Sequence, residues 1–147
     1  MEIISVLLCT YNEPLKYVKL SIESILSQTY TNIQLIIVND NPKRADMADL
    51  LAAYAREDSR IKYIVNPSNM GLVSSLNVGL KNAIGEYIAR MDADDIATKD
   101  RLEKQLEFLQ VKSYDMVGCN AIKIDENGKE IGYLNVPTAH EKIKEYQ

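Results

Sequence analysis

The stretch Ile88-Ala89-Arg90-Met91-Asp92-Ala93-Asp94-Asp95 passes from an apolar segment directly into three carboxylates. Residues 87–91 are predicted to form a buried strand, so the acids follow its carboxyl end, which is where open α/β sheets place their ligands. If the chain stays extended, Asp92 and Asp94 lie on one side, about 6–7 Å apart at Cα, and Asp95 lies on the other.

The acidic cluster predicts a metal site. Two carboxylates at that separation repel each other by roughly 2–3 kcal/mol at an effective dielectric constant near 20. A divalent cation reverses this repulsion, and carboxylate oxygens are the ligands that Mg²⁺ or Mn²⁺ prefers. Asp92 and Asp94 are therefore the candidate ligands. The alternative is that the acids only solvate a loop or favour the positive end of the next helix near Thr98.

The composition is that of a soluble globular chain. At 147 residues, with 46% hydrophobic and 26% charged residues, it fits one domain with a real core. A net charge of -4 without a Lys/Arg block predicts no nucleic-acid surface. The absence of a membrane span or secretion signal points to the cytoplasm. Cys9 and Cys119 lie in apolar runs and are predicted to be reduced core thiols.

Strand-like and helix-like patterns alternate along the whole chain. Strands are predicted at residues 3–9, 33–38, 61–65, 86–91 and 116–124, and 130–134 folds back antiparallel after a turn. Helix starts are predicted at Asn12-Glu13-Pro14, at Asn41-Pro42, after Asn66-Pro67, at Thr98 and at Thr138, with Gly85 ending the third helix. The pattern predicts an α/β fold with a mostly parallel sheet covered by helices on both faces.

Three further polar loops follow the first three strands, at residues 8–13, 38–42 and 66–71. If the strand order is the common 3-2-1-4, Asp40 and Asp92 flank the first strand about 10 Å apart. That gap suits a nucleotide laid across the sheet, with its base at Asp40 and its diphosphate towards Asp92 and Asp94.

At this point the chain resembles the family 2 glycosyltransferases, which have the GT-A nucleotide-sugar-binding fold (Rossmann-like). Five pieces carry the resemblance, in the family's order and spacing: residues 5–13, residues 24–30, residues 36–40, Asn69-Met70-Gly71 with Asn77-Val78-Gly79, and the DXD pattern Asp92-Ala93-Asp94 with Asp95. Together they cover most of the chain up to Ile124.

The resemblance implies roles for individual residues. Asp40 would accept a hydrogen bond from the base, with uracil N3–H as the usual donor. Asp92 would hold the ribose or the metal, and Asp94 would ligate Mn²⁺ or Mg²⁺. Asp95 fits a supporting or helix-capping role as well as ligation. The remaining residues implied to border the nucleotide are Thr10, Tyr11, Asn12, Asn69 and Asn77. For Asp40 the alternative is a turn-forming role before Asn41-Pro42.

The resemblance also implies an activity, which is inverting transfer of a sugar from a nucleoside diphosphate sugar, with UDP-sugar favoured, to a glycan or lipid-linked acceptor in polysaccharide biosynthesis. The chain departs from the family pattern in two ways. Asn39-Asp40-Asn41-Pro42 replaces the usual Asp-Asp-Gly-Ser, and nothing after Ile124 matches the general base.

We therefore expect residues 1–147 to be a single nucleotide-sugar-binding domain, truncated before the acceptor and catalytic-base region. The capping box at residues 138–141 starts a helix that would lead onwards. We expect the protein to be located in the cytoplasm, with the inner face of the membrane as an alternative. Two other functions stay open: a non-catalytic nucleotide-sugar-binding module and an acidic-pocket phosphate-receiving signalling domain. The signalling domain needs an Asp after the third strand, where this chain has Val65-Asn66-Pro67.

Overall fold

The computed structural model describes residues 2–112 and 114–146, in which strands and helices alternate except at the last two strands, which are consecutive. The strands are β1 (Ile4–Thr10), β2 (Ile33–Asn39), β3 (Ile61–Val65), β4 (Tyr87–Asp92), β5 (Ala121–Ile124) and β6 (Glu130–Leu134). The helices are α1 (Leu15–Leu26), α2 (Ala45–Glu57), α3 (Leu72–Lys81), α4 (Arg101–Lys112) and α5 (His140–Tyr146). In these residues, no helix is long and apolar enough to cross a membrane.

Four strands form a parallel sheet in the order β3-β2-β1-β4, which confirms the predicted order. Strand β1 is central, and its register places Leu7 beside Ile36 of β2 and beside Arg90 of β4. Because parallel sheets are covered on both faces, their inner strands are apolar on both sides. All but one residue of β1 and all but one of β2 are buried accordingly.

The two faces of the sheet carry different helices. On one face, Leu7, Ile36 and Val38 form a buried cluster, and α3 packs against it. Gly79 allows this close approach, since a Cβ there would lie 3.2 Å from Leu7 Cδ2. Right-handed connections place α1 and α2 on the opposite face. The buried residues of these two helices include Val18, Ile22, Ile25, Met47 and Leu51.

Helices α1 and α2 begin at later residues than predicted. Helix α1 begins at Leu15 with Pro14 as its N-cap, and Asn12 is not the cap because its side chain contacts another loop. Helix α2 begins at Ala45 instead of at Asn41-Pro42.

Gly85 was predicted to end α3 as a left-handed cap, and this was wrong. The helix ends at Lys81, and among the described glycines only Gly71 and Gly128 have positive φ. Gly85 instead lies against the backbone of the first strand. A Cβ at Gly85 would be 2.5 Å from the Ile3 carbonyl oxygen, so close packing requires glycine at this position.

The chain divides into two compact units, Met1–Glu103 and Lys104–Gln147. The first unit contains the parallel sheet. The second contains an antiparallel hairpin of β5 and β6, with Gly128 at φ +81° in its turn, as the turn sequence predicted. The single domain predicted for residues 1–147 stays a prediction.

The predicted fifth strand was too long at its start. It was expected at 116–124, but β5 begins at Ala121, which pairs with Leu134, the last residue of β6. Cys119 precedes β5 and is exposed, as are all four residues of β5, which corrects its prediction as a core thiol. Cys9, in contrast, packs against the buried cluster below α3.

Candidate functional site

The loops that follow the first three strands are joined by backbone hydrogen bonds. The Asp40 N–H donates to the Thr10 carbonyl oxygen at 2.8 Å, and the Asn66 N–H donates to the Asn39 carbonyl oxygen at 2.9 Å. These bonds continue the sheet ladder by one residue beyond β2 and β3. The polar residues predicted to share one edge of the sheet are thus brought together there.

Charged side chains near the carboxyl end of β1 affect the pKa of the Cys9 thiol. Burial raises its pKa to about 11, and the negative charges of Asp40 and Asp92 add to that effect. The positive charge of Arg90 acts in the opposite direction. Asp40 and Asp92 therefore lie close enough to the end of β1 for both to act on one sulfur atom.

Asp40 is the centre of a buried network of hydrogen bonds, here called the Asp40 network. It is 4% exposed, and its Oδ1 accepts from Asn66 Nδ2 at 2.7 Å and from the Met70 N–H at 2.8 Å. Its Oδ2 accepts from the Gly71 N–H at 2.8 Å. Burial acts to raise the pKa of Asp40, but these three bonds, with the nearby Ser75 hydroxyl, outweigh it and hold the pKa below its usual range. The carboxylate is ionised and held in one position.

The Asp40 network shapes the loop before α3. Gly71 takes φ +82°, a left-handed conformation that favours glycine. The Asn69 Oδ1 also accepts from the Gly71 N–H, at 3.0 Å, so Asn69 forms the turn while its side chain stays exposed. Asn77 lies on α3 and is exposed as well. Asn69 thus lies in the loop before α3 and Asn77 on α3 itself. Contact of either side chain with a nucleotide stays a prediction.

The loop after β1 is held by its own side chains. The Glu13 Oε2 accepts from the Tyr11 N–H at 2.7 Å, and the Tyr11 residue is 40% exposed. Asn12 Oδ1 accepts from Asn41 Nδ2 at 2.9 Å, which joins this loop to the one after β2. Members of the predicted family commonly have glycine at the position of Asn41. Glycine could not form this side-chain bond, so Asn41 restrains the loop conformation where glycine would not.

Thr10 has an unusual environment. It is 1% exposed, and its Oγ1 is the one buried side-chain N or O atom in the described residues without a hydrogen-bond partner. Leaving a buried hydroxyl unpaired costs about 1–3 kcal/mol. Thr10 Oγ1 is thus a buried polar atom at the carboxyl edge of the sheet that no described protein atom satisfies.

The acidic cluster is a turn, which corrects the extended geometry expected for it. The Asp95 N–H donates to the Asp92 carbonyl oxygen at 3.2 Å, and Ala93 between them is buried. Such a turn brings the Cα atoms of its first and last residues within about 7 Å of each other. Asp95 is therefore on the same turn as Asp92 instead of opposite it. The Ser21 hydroxyl of α1 fixes this turn by donating to the Asp92 carbonyl oxygen at 3.0 Å.

Negative charge at this turn is only partly neutralised. Arg90 Nη2 lies 2.8 Å from Asp92 Oδ1. Desolvation raises the pKa of Asp95, and the charges of Asp92 and Asp94 raise it further. Asp94 is exposed, and within the described residues its side chain has no hydrogen bond or ion pair.

The cluster fits one kind of metal site and not another. No group of three or more His, Cys, Asp or Glu side chains in residues 2–112 and 114–146 is arranged to enclose a metal ion. Mg²⁺ bound together with a nucleotide usually takes only one or two carboxylates and completes its shell with phosphate oxygens and water. The exposed carboxylate of Asp94 beside Asp92 fits this second kind.

Sequence reasoning missed the ion pair of Arg90 and the anchoring role of Ser21. Arg90 could have been found, because residues two apart on a strand share a face and Asp92 follows at that spacing. Arg101 donates through Nη2 to the Arg90 carbonyl oxygen at 2.9 Å. Ser21, Asn66 and Ser75 gave no local signal.

The fold defines a class, the GT-A glycosyltransferases, because solved members of that class superpose on the chain. S. aureus TarS, solved in complex with UDP, is 26% identical with a TM-score of 0.69, over 90% of this chain and 38% of that one. A mannosyltransferase from Pyrobaculum calidifontis, in complex with GDP-Man and Mn²⁺, has a TM-score of 0.64 at 21% identity, over 72% and 32%.

Within that class, the chain belongs to glycosyl transferase family 2, whose profile matches residues 5–146. An uncharacterized glycosyltransferase of Methanocaldococcus jannaschii is 43% identical over 127 residues, which is 86% of this chain and 44% of that protein. The bifunctional glycosyltransferase pgtA of Dictyostelium discoideum is 42% identical over 120 residues, 79% of this chain and 16% of that protein. The chain thus spans less than half of the length of these relatives.

Proposed function

We propose that this chain is the nucleotide-sugar-binding part of an inverting glycosyltransferase that transfers a sugar from a nucleoside diphosphate sugar to a glycan or lipid-linked acceptor. A UDP-sugar is the favoured donor. The observation that carries the proposal is the position of the acidic turn. It follows β4, across β1 from Asp40, so the two acids flank the central strand at the edge where open α/β sheets bind ligands.

The base would lie over the ends of β1 and β2. The unpaired Thr10 Oγ1 offers a hydrogen-bonding group there, and the half-exposed ring of Tyr11 offers a surface for stacking. The Asp40 oxygens already accept bonds from protein donors, so a base N–H would share one of them. Asn12, Asn69 and Asn77 would border the nucleotide.

The diphosphate would lie at the acidic turn. Asp94 and Asp92 would hold Mn²⁺ or Mg²⁺, and Asp92 could contact the ribose as well. The ion, when bound, would neutralise the charge of the diphosphate leaving group. Two structural neighbours whose complexes contain UDP, or GDP-Man with Mn²⁺, support this assignment. The residues of this chain would position the donor, which lowers the barrier by fixing its geometry.

Activation of the acceptor is not assigned to any residue here, because no residue after Ile124 matches the family's general base. Family membership removes the phosphate-receiving signalling domain from consideration. A cytoplasmic location, with the inner face of the membrane as an alternative, stays a prediction from the sequence.

Calorimetric titration with UDP, GDP and their sugars, with and without Mn²⁺, tests the proposal. We expect binding that needs the metal and that falls by at least about tenfold in Asp94→Ala, since loss of a metal-site residue typically weakens binding by that much or more. Asp49→Ala is the matched control, because Asp49 is an exposed aspartate on α2. Equal binding in EDTA would remove the metal from the proposal, and no binding of any nucleotide would remove the donor site.

A further inference from the structure

The side chain of Arg90 pairs with one oxygen of Asp92, a carboxylate that the proposed metal would use. Arg90 and Asp92 are two residues apart on β4 and face the same side of the sheet. The contact is a single one, from Nη2 to Oδ1 at 2.8 Å, and the two side chains are 55% and 48% exposed. Within the described residues, the Arg90 guanidinium makes its one hydrogen bond to Asp92. It is therefore bound weakly and reaches into solvent.

The backbone at Arg90 is fixed, although its side chain is not. Arg90 lies within the parallel ladder opposite Leu7 of β1. Its carbonyl oxygen accepts from Arg101 Nη2 at 2.9 Å. A change of partner by the guanidinium would thus require rotation of side-chain torsions only, with no movement of the strand.

The Arg90 guanidinium contacts only Oδ1 of Asp92, so a divalent ion would have to bind the other oxygen of the same carboxylate, close to a positive charge. A divalent ion at the acidic turn would repel the Arg90 guanidinium, which is always protonated. The same guanidinium is a planar donor whose fork matches the oxygens of a phosphate group. A diphosphate that arrives with the ion would supply such oxygens within a few ångströms of Asp92.

We propose that Arg90 is an internal counter-ion that competes with the divalent cation for Asp92 and moves to a phosphate oxygen when a nucleoside diphosphate binds. This inference rests on the proposed function, because it assumes a metal and a diphosphate at the acidic turn. It assigns a positioning role to Arg90, which would disfavour binding of the metal alone and favour the ternary complex.

The effects of replacing Arg90 should have opposite signs for the two ligands. Mn²⁺ binding without nucleotide is measured from the electron paramagnetic resonance signal of free Mn²⁺. Arg90→Gln should bind Mn²⁺ about three- to tenfold more tightly than the unchanged chain, as removal of one nearby positive charge would give. Calorimetry at saturating Mn²⁺ should show UDP and GDP binding that is weaker by at least about fivefold, because the bond to phosphate is lost.

Two further variants separate this role from a general effect of charge or folding. Arg90→Lys restores the competing charge and should return the Mn²⁺ affinity to within about twofold of the unchanged chain, because lysine also pairs with a carboxylate. Lys62→Gln removes one exposed positive charge from β3, at the other edge of the sheet, and should change neither affinity.

Equal Mn²⁺ affinity in Arg90→Gln and the unchanged chain would overturn the competition for Asp92. Equal nucleotide affinity at saturating Mn²⁺ would overturn the move to phosphate. Neither result would affect the proposed metal site itself. If neither protein binds Mn²⁺ with or without nucleotide, the metal assignment of the proposed function fails, and the role of Arg90 fails with it.

Discussion

Replacing Asp40 by asparagine tests whether the Asp40 network stabilises the fold. The carboxylate accepts three protein hydrogen bonds at 2.7–2.8 Å while almost fully buried. An asparagine oxygen could keep the two bonds of Oδ1, although without the charge. The amide nitrogen would then face the Gly71 N–H, donor against donor.

The size of the effect follows from these three bonds. Hydrogen bonds to a charged group contribute about 1.5–3 kcal/mol each, and neutral ones about 1 kcal/mol. Weakening two bonds and losing the third gives about 2.5–7 kcal/mol, and we expect the lower part of that range, about 3–4 kcal/mol, because a neutral amide costs less to bury than a carboxylate. For a chain of this size, that lowers the melting temperature by roughly 10 °C.

Urea denaturation followed by circular dichroism measures this loss of unfolding free energy. Asp94→Asn is the matched control, since it removes the same charge from an exposed side chain and should stay within about 0.5 kcal/mol of the unchanged chain. A change below about 1 kcal/mol in Asp40→Asn would refute the claim that the network stabilises the fold.

The pH dependence gives a second test with a defined sign. The folded pKa of Asp40 is lower than its ordinary value of 3.8, so its stabilisation is fully present above that value. The stabilisation is lost as the pH falls below 3.8 and through the lower folded pKa. The difference between the unchanged chain and Asp40→Asn should therefore be constant from about pH 7 to about pH 5 and shrink only in stronger acid. A difference that shrinks already near neutral pH would contradict the assignment.

Two further outcomes are expected from other parts of the chain. Gly85→Ala should destabilise the chain by about 1–3 kcal/mol in urea, because its Cβ would lie 2.5 Å from the Ile3 carbonyl oxygen. Gly118→Ala, with no atom within 4 Å of the added Cβ, is the control and should change stability by less than about 0.5 kcal/mol. Iodoacetamide at neutral pH should modify the exposed Cys119 first, since burial and the nearby charges raise the pKa of Cys9 to about 11. Mass spectrometry would show the order, and faster modification of Cys9 would contradict it.

The parallel sheet was predictable because its signals are local. Continuous apolar strands separated by helical periodicity predict parallel pairing, and the strand order found is the common one for such folds. The antiparallel hairpin of β5 and β6 followed in the same way from the turn between its strands. The exposed position of Cys119 did not, because an apolar run indicates a strand but does not show whether a layer covers it, and all four residues of β5 are exposed as well.

The details of the site depended on contacts between residues far apart in the sequence. Nothing near Asp92 indicates that its carbonyl oxygen receives the hydroxyl of Ser21, 71 residues earlier, at the point where the strand turns. The bond between Asp40 and Asn66 joins residues 26 positions apart. The residue types therefore predicted several of the side chains that gather at this edge of the sheet. Only the fold shows which of their polar atoms already form hydrogen bonds within the protein.

The hydrogen bonds from Met70 and Gly71 to the buried carboxylate of Asp40 order the loop before α3 when the chain folds, before any ligand binds. Both residues are exposed, yet their amide protons point to Asp40 instead of to solvent. Their exchange with deuterium should accordingly be as slow as that of the sheet to which they are joined. A ligand that reaches this edge would meet a loop already ordered by folding, so association would lose little conformational entropy there.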